Sequence, residues 1–140
     1  MSYFDDELIK DLSKHSIGYA ILSEAEHASI VNEINEKAPF SGSKIDWRKL
    51  KNSINFESKS SEVAILRMAN EIKAITNENT IFVGDSACDE AYSVSAEDLE
   101  KALMIFSELP QHTYIVPKSL TWIACISFEG NFDFASFHET

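Results

Sequence analysis

The sequence predicts an α+β domain, with helices packed on one face of a largely antiparallel sheet that ends in a three-strand meander. The C-terminal run QHTYIVPKSLTWIACISFEGNFDFASF holds three short segments rich in β-branched and aromatic residues, separated by turn-forming residues. Before this run, four segments combine helical periodicity with residues typical of helix ends. Three strands cannot bury both of their faces alone, so the helical part must cover one of them.

Four helices are predicted from apolar spacing and capping residues. The first two are Tyr3–Lys14, capped by Ser2, and Glu24–Lys37, which follows the capping box Ser23-Glu24-Ala25-Glu26. The third is Ser61–Thr76, and the fourth begins at the capping box Ser95-Ala96-Glu97-Asp98 and ends at Glu108, before Pro110. The side chains predicted to face inward are Phe4, Leu8, Leu12, Ala28, Val31, Ile34, Ile65, Leu66, Ala69, Ile72, Ile75, Leu99, Ala102, Leu103 and Phe106.

The segment between the second and third helices is the least regular part of the chain. Asp46 is predicted to cap a short helix that runs through Leu50 and Lys51. Trp47 is predicted to be a core residue. The neighbouring bases balance nearby carboxylates, because three bases in so acidic a protein are too few for a nucleic-acid surface.

The predicted strands all lie in the second half of the chain. Thr80–Val83 is a short apolar strand, and residues 84–92 are predicted to form a polar, acidic loop. The meander strands are His112–Val116, Thr121–Phe128 and Asn131–Phe137. In the middle strand Trp122, Ala124, Ile126 and Phe128 alternate with Thr121, Ile123, Cys125 and Ser127, which predicts one better-buried face. Glu129-Gly130-Asn131 has the composition of a tight hairpin.

Length and composition indicate one domain over residues 1–140. The chain is 44% hydrophobic, as expected of a protein with a packed core, and no apolar run has the length of a membrane span. The acidic N-terminal sequence does not resemble a signal peptide, so a cytoplasmic protein is expected. In that compartment Cys88 and Cys125 are expected to stay reduced.

The net charge of −11 argues against nucleic acid as a direct partner, because phosphate binding needs clustered Lys and Arg. The acidic excess is uneven: residues 84–140 carry ten acids and two lysines. This is the part of the chain that contains most of the predicted sheet. Acidity alone is often a solubility device, whereas acids concentrated on loops suit a basic partner.

No group of residues makes a convincing catalytic, metal or cofactor site. Gly84-Asp85-Ser86 resembles the opening of GDSL-type esterases, but the late Asp-x-x-His of that family has no match at Asp133 and His138. The four histidines lack metal-ligand spacing, and four glycines are too few for a phosphate-binding loop. Cys88 lies beside Asp89 and Glu90, which disfavour a thiolate. The sequence therefore predicts no catalytic residue, no metal and no cofactor.

The predicted binding residues are acids near loops and one aromatic residue. Three acids lie in the 84–92 loop, two in the first turn of the fourth helix, and two flank the last hairpin. A basic protein is the partner that such a set would suit, with the tyrosine as an aromatic anchor. The predicted set is Asp85, Asp89, Glu90, Tyr92, Glu97, Asp98, Glu129 and Asp133.

The run HTYIVPKSLTWIACISFEGNFDFASF resembles the ending of small bacterial immunity proteins, especially those of contact-dependent growth inhibition systems. In those proteins a strand, a proline loop, a Trp-bearing strand and an EG-type hairpin into an aromatic strand recur. The resemblance covers only this run, and it implies a cytoplasmic protein that binds and neutralises one cognate toxin domain, often a nuclease. It transfers no individual binding residue.

These observations predict a toxin-neutralising immunity protein that covers the basic cleft of a nuclease toxin by occlusion. A small acidic adaptor or scaffold with a non-toxin partner is the alternative, and an esterase that uses Ser86 comes third. A toxin gene immediately upstream would favour the first. Ester hydrolysis abolished by Ser86→Ala would favour the third.

Overall fold

The described part of the chain folds into helices packed against an antiparallel sheet. A computed structural model describes residues 1–50, 52–57 and 60–137. Its helices are α1 (Tyr3–Lys14), α2 (Glu24–Lys37), α3 (Ser61–Ile75) and α4 (Leu99–Phe106), with 3-10 helices at Trp47–Lys49 and Ala96–Asp98. Its strands are β1 (Tyr19–Ile21), β2 (Phe40–Ser41), β3 (Lys44–Ile45), β4 (Ile54–Asn55), β5 (Thr80–Gly84), β6 (Ala91–Val94), β7 (Thr113–Pro117), β8 (Trp122–Ile126) and β9 (Phe132–Ser136). The predicted α+β class is confirmed.

The first two helices begin and end where the sequence predicts. Each starts with a full capping box, in which Ser2 and Asp5 of one helix, and Ser23 and Glu26 of the other, exchange hydrogen bonds with each other's backbone N–H. The fourth helix is shorter than predicted, because Ser95 caps a 3-10 turn before α4 begins.

Seven strands form one antiparallel sheet in the order β1-β6-β5-β7-β8-β9-β4, and β2 pairs with β3 in a separate hairpin. The predicted meander is confirmed: β7, β8 and β9 are consecutive neighbours. Gly130 has a φ of 88°, which L-residues rarely adopt, so it allows the tight turn from β8 to β9.

Both faces of the central strands are buried, whereas the sequence predicted helices on one face. Three helices, α1, α3 and α4, cover the face that carries Phe82, Ile115 and Trp122. The opposite face, with Val83 and Ile123, lies under α2 and the β2–β3 hairpin. Every residue of β7 and β8 is buried. The prediction of one better-buried face is therefore wrong for these strands, because α2 packs on the side opposite the other helices.

Several predicted inward positions are exposed. In α2 Ala28 is exposed and Ile30 is buried instead. In α3 Leu66 and Ile75 are exposed, and Ala64 and Met68 are among the residues that take the inward positions. In both helices the buried apolar stripe is therefore rotated by part of a turn relative to the prediction. Phe128 lies beyond the end of β8 and is 64% exposed.

The short strands are the elements that the sequence did not predict. The predicted 84–92 loop spans only residues 85–90, because Ala91–Val94 forms β6 between β1 and β5. The strands β1 to β4 have two or three residues each, too few for a pattern of alternation. The short helix predicted after Asp46 is present only as the 3-10 helix Trp47–Lys49, which ends before Leu50. Asp46 caps it as predicted, because its carboxylate accepts the Arg48 N–H, and Trp47 packs against the α2 side of the sheet. Lys51 lies outside the described residues.

Candidate functional site: the acidic end of the sheet

Five of the predicted binding residues meet at one end of the sheet. At this end β5 and β8 finish and β7 and β9 begin, so the 85–90 loop, residues 110–112 and the 127–131 turn lie side by side. The N-terminus of α1 also reaches this end, because the Ser2 hydroxyl lies 2.8 Å from the carbonyl oxygen of Ala87. The predicted acids found here are Asp85, Asp89, Glu90, Glu129 and Asp133, and we call this region the acidic end.

Three further acids lie at the acidic end, and the sequence did not single them out. Asp6 is in the first turn of α1, Glu57 follows β4, and Glu108 follows α4. All three are exposed. The strand register and the contact between Ser2 and Ala87 bring these points of the chain together, so no local pattern in the sequence could have revealed them.

The other three predicted residues lie elsewhere. Glu97 and Asp98 follow β6, which finishes at the opposite end of the sheet, so the eight predicted residues do not form one surface. Tyr92 is fully buried in β6, and its hydroxyl donates a hydrogen bond of 2.5 Å to Asp5. The prediction that Tyr92 is an aromatic anchor for a partner is therefore wrong.

The buried carboxylate of Asp5 holds the 85–90 loop from beneath. Its two oxygens accept hydrogen bonds from the backbone N–H of Asp89 at 2.7 Å and of Glu90 at 3.3 Å. They also accept the Ser2 N–H at 3.0 Å and the Tyr92 hydroxyl. Asp5 is completely inaccessible to solvent. One side chain thus joins the first turn of α1, the loop and β6.

The same hydrogen bonds keep Asp5 ionised. Burial by itself raises the pKa of a carboxyl group, since it removes water from the charged form. Here the hydrogen bonds from the Tyr92 hydroxyl, the Asp89 N–H and Ser2 outweigh burial and lower the pKa of Asp5 to about 2. The negative charge has the opposite effect on neighbouring acids: burial, followed by the charge of Asp5, raises the pKa of Cys88 to about 12.

A second buried side chain, that of Gln111, holds the middle of the loop. Its Oε1 accepts the backbone N–H of Ala87 at 3.1 Å and of Cys88 at 3.0 Å, and its Nε2 donates to Thr113. The side chain crosses Gly84, where a Cβ would overlap Gln111 Oε1. Glycine at this position therefore leaves the room that the glutamine needs.

Gly84→Ala should destabilise the protein by about 1–3 kcal/mol, because the methyl group forces Gln111 away from the loop N–H groups. Chemical denaturation of the wild type, both single variants and the double variant Gly84→Ala/Gln111→Ala measures this coupling. In the Gln111→Ala background the alanine at position 84 should cost much less, since the atoms that it would meet are gone. Equal costs in both backgrounds would contradict the clamp.

The exposed acids differ in how far their charge is compensated. Glu129 pairs with Lys44 at 2.7 Å, and the hydrogen bond from Lys44 is the main reason that its pKa falls to about 2. Burial raises the pKa of Asp133, against a hydrogen bond from Asn55 at 2.8 Å. In the part of the chain that the structure describes, Asp85, Asp89 and Glu90 form no ion pair with Lys or Arg. The uncompensated charge is thus on the loop that Asp5 and Gln111 hold.

The residues that resemble an esterase opening make structural contacts. The Ser86 hydroxyl donates to Asp85 Oδ1 at 3.1 Å, and the same oxygen accepts the backbone N–H of His112 at 2.9 Å. His112 Nδ1 accepts the N–H of Phe128 at 2.8 Å. Among the described residues no histidine nitrogen is hydrogen-bonded to Ser86, and no cluster of three His, Cys, Asp or Glu side chains is placed to hold a metal ion.

Cys88 and Cys125 are free and buried. They belong to the cores on opposite faces of the sheet, so a disulfide between them would require the sheet to open.

No protein-family model matches the chain, and neither does any curated protein. Across residues 1–50, 52–57 and 60–137, no helix is long and apolar enough to cross a membrane. Function is therefore inferred from the geometry of the acidic end together with the resemblance of the C-terminal run.

Proposed function

We propose that this protein binds and neutralises a cognate bacterial toxin domain, a nuclease, by laying its acidic end over the toxin's basic substrate cleft. The observation that carries the proposal is the 85–90 loop: its three acids lack basic partners in the described structure, while its backbone is fixed by buried side chains. Inhibition of this kind requires only that the substrate cleft of the toxin is covered, and no catalytic step by this protein.

A fixed loop suits a tight inhibitor. Binding orders the groups that it uses, and a loop that is already ordered loses less conformational entropy when the partner arrives. Four backbone N–H groups of the loop, from Ala87 to Glu90, are held by Gln111 or Asp5. The carboxylates of Asp85, Asp89 and Glu90 are thus presented from a backbone of defined shape.

The charge of the acidic end complements the cleft of a nuclease. Such a cleft binds phosphates and therefore concentrates Lys and Arg, and an acidic surface is attracted to it over a distance set by the ionic strength. The uncompensated loop acids supply this attraction. Glu129 and Asp133, which have partners within the protein, would lie nearer the rim of the contact.

Two exposed aromatic side chains can take the anchoring role that the sequence predicted for Tyr92. Tyr3, in the first turn of α1, is 69% exposed, and Phe128, in the turn after β8, is 64% exposed. Both lie at the acidic end, Tyr3 at the N-terminus of α1 and Phe128 in the 127–131 turn. Aromatic residues are common among the residues that dominate binding energy, so these two are the apolar anchors that we propose in place of Tyr92.

The resemblance of the C-terminal run to immunity proteins of contact-dependent growth inhibition systems supplies the class of partner. An antitoxin of that kind acts inside the bacteria that the toxin enters, so a cytoplasmic location is part of the proposal. It contacts the C-terminal toxin domain directly and needs neither nucleic acid nor membrane.

The combined variant Asp85→Asn, Asp89→Lys and Glu90→Lys should bind the toxin domain encoded by the upstream gene at least about 100-fold more weakly, because like charges then face the cleft. Asparagine at position 85 keeps the acceptor for the His112 N–H. The affinity is measured by calorimetry, and protection is measured by growth of cells that express the toxin domain together with each variant.

The matched control is Glu97→Lys, Asp98→Asn and Glu100→Lys, which changes the net charge by the same amount at the opposite end of the sheet. It should bind and protect like the wild type, and thermal melts verify that both variants fold. Equal loss in both variants would mean that only net charge matters. A protein that binds no toxin domain but forms a stable complex with another basic protein would support the adaptor alternative instead.

A further inference from the structure

A cavity of about 510 Å³ opens beside the acidic end, between α2 and the sheet. Its walls are largely apolar and include Val31 and Ile34 from α2, Phe40 from β2 and Val83 from β5. Asp85 lies at its edge, so the cavity is continuous with the acidic end. We call it the α2 pocket. Its volume is in the range of sites that hold small molecules or large side chains.

The polar side chains that line the α2 pocket are those of Asn35, Ser43, Asp85 and Tyr114, and Asp85 is the only charged one among them. Tyr114 lines it and is only 8% exposed, yet its hydroxyl has no hydrogen-bond partner among the described residues. Asp85 Oδ1 already accepts from His112 and Ser86, whereas no contact to Oδ2 is present in the described structure. The Tyr114 hydroxyl and Asp85 Oδ2 are therefore both free to accept a hydrogen bond from a ligand in the pocket.

The charge around the α2 pocket favours a cation. The pocket lies beside the C-terminal half of α2, where the helix dipole is negative. The nearby lysines are engaged elsewhere, Lys37 with the carbonyl oxygen of Leu120 and Lys44 with Glu129. The aromatic rings of Phe40 and Tyr114 both line the pocket, 6.2 Å apart at 71°, and the face of an aromatic ring attracts a cation.

We infer that the α2 pocket takes an arginine side chain of the basic partner, an inference that rests on the proposed function for the source of the arginine. The aliphatic part lies along Val31, Ile34 and Val83, and the guanidinium donates to Asp85 and to the Tyr114 hydroxyl. A planar guanidinium can satisfy both acceptors while it stacks on an aromatic ring, which an ammonium group does less well. Arginine is also enriched among the residues that dominate binding energy.

The test uses the full-length protein and N-acetyl-arginine amide, with N-acetyl-citrulline amide as the uncharged probe of matching shape. Binding is followed by NMR through the backbone amide signals of Val83, Gly84 and Tyr114. The arginine probe should give saturable shifts, and the citrulline probe should bind about tenfold more weakly, since hydrogen bonds to an ionised group are the stronger ones.

Three variants locate the interaction. Asp85→Asn should weaken binding of the arginine probe about tenfold, and Tyr114→Phe about fivefold, which corresponds to one hydrogen bond. Glu97→Gln, at the opposite end of the sheet, should leave it unchanged. Absence of a saturable shift, equal binding of citrulline, or full binding to Asp85→Asn would each overturn the inference.

The same probe separates this inference from the proposed function. If the arginine probe fails to bind while the acidic-end variant no longer binds the toxin, the assignment of the pocket to arginine is wrong and the proposed function stands. If the probe binds as expected while the acidic-end variant still binds the toxin, the assignment of the pocket to arginine stands and the proposed function is wrong.

Discussion

Replacing Asp5 with alanine is expected to destabilise the protein by about 3–5 kcal/mol, a large share of the stability of a domain of this size. The substitution removes a fully buried carboxylate that accepts hydrogen bonds from Asp89, Glu90, Ser2 and Tyr92. Their donors would be left without a partner in the protein. Urea unfolding, followed by tryptophan fluorescence, measures the loss.

The pH dependence of stability gives an independent measure of the same network. The pKa of Asp5 is lowered from 3.8 to about 2 on folding. Its contribution to the free energy of unfolding is therefore fully present above pH 4 and is lost as the pH falls towards 2. The shift corresponds to about 2 kcal/mol. Asp5→Asn should be less stable at neutral pH, and its stability should fall less steeply between pH 4 and 2.

Glu129 titrates in the same range, since its pKa is also lowered to about 2. The variant Glu129→Gln is therefore the control: it should keep the part of the acid sensitivity that comes from Asp5. A cost below about 1 kcal/mol for Asp5→Ala, or an acid profile of Asp5→Asn identical to that of the wild type, would contradict the role assigned to Asp5.

Trp122→Ala is expected to cost about 3–5 kcal/mol, because it removes the largest side chain of the core. Trp122 is 1% exposed and lies under the three-helix face, with its ring 5.8 Å from that of Phe134. Alanine would leave a cavity that the paired strands on either side cannot close. Denaturant titration, followed by tyrosine fluorescence or circular dichroism, measures the change in the free energy of unfolding.

Trp122→Phe serves as the control for this prediction. It keeps an aromatic ring in the core and removes an indole N–H that has no partner among the described residues, so it should cost clearly less than alanine. A loss under about 1 kcal/mol for Trp122→Ala would mean that the ring is not packed in the core under the three helices.

The helices and the meander could be predicted because each carries its own local signal. The capping boxes at Ser2 and Ser23 and the apolar stripes behind them define α1 and α2 to the residue. Which face of the sheet a helix covers is a different matter. α2 packs opposite the other helices, and that choice depends on the order of the strands, which no local pattern in residues 24–37 reports.

The candidate site was predicted in composition and only partly in position. The loop acids Asp85, Asp89 and Glu90 are where a loop was expected, but Tyr92 belongs to a four-residue strand too short to recognise by alternation. The buried role of Asp5 was hidden by its place in an acidic first turn, where a solvated carboxylate favoured by the helix dipole is the usual case. The separation of Glu97 and Asp98 from the other acids follows from the register alone.

The measurement that tests the central claim most directly is the association rate with the toxin domain encoded upstream, at low and at physiological salt. The wild type should associate much more slowly at the higher salt, because screening shortens the reach of the acidic end. The variant Asp85→Asn, Asp89→Lys and Glu90→Lys should associate slowly at both, while the control at the opposite end behaves like the wild type. An association rate that is independent of salt, together with an unaffected acidic-end variant, would contradict the claim and show that the acidity serves solubility.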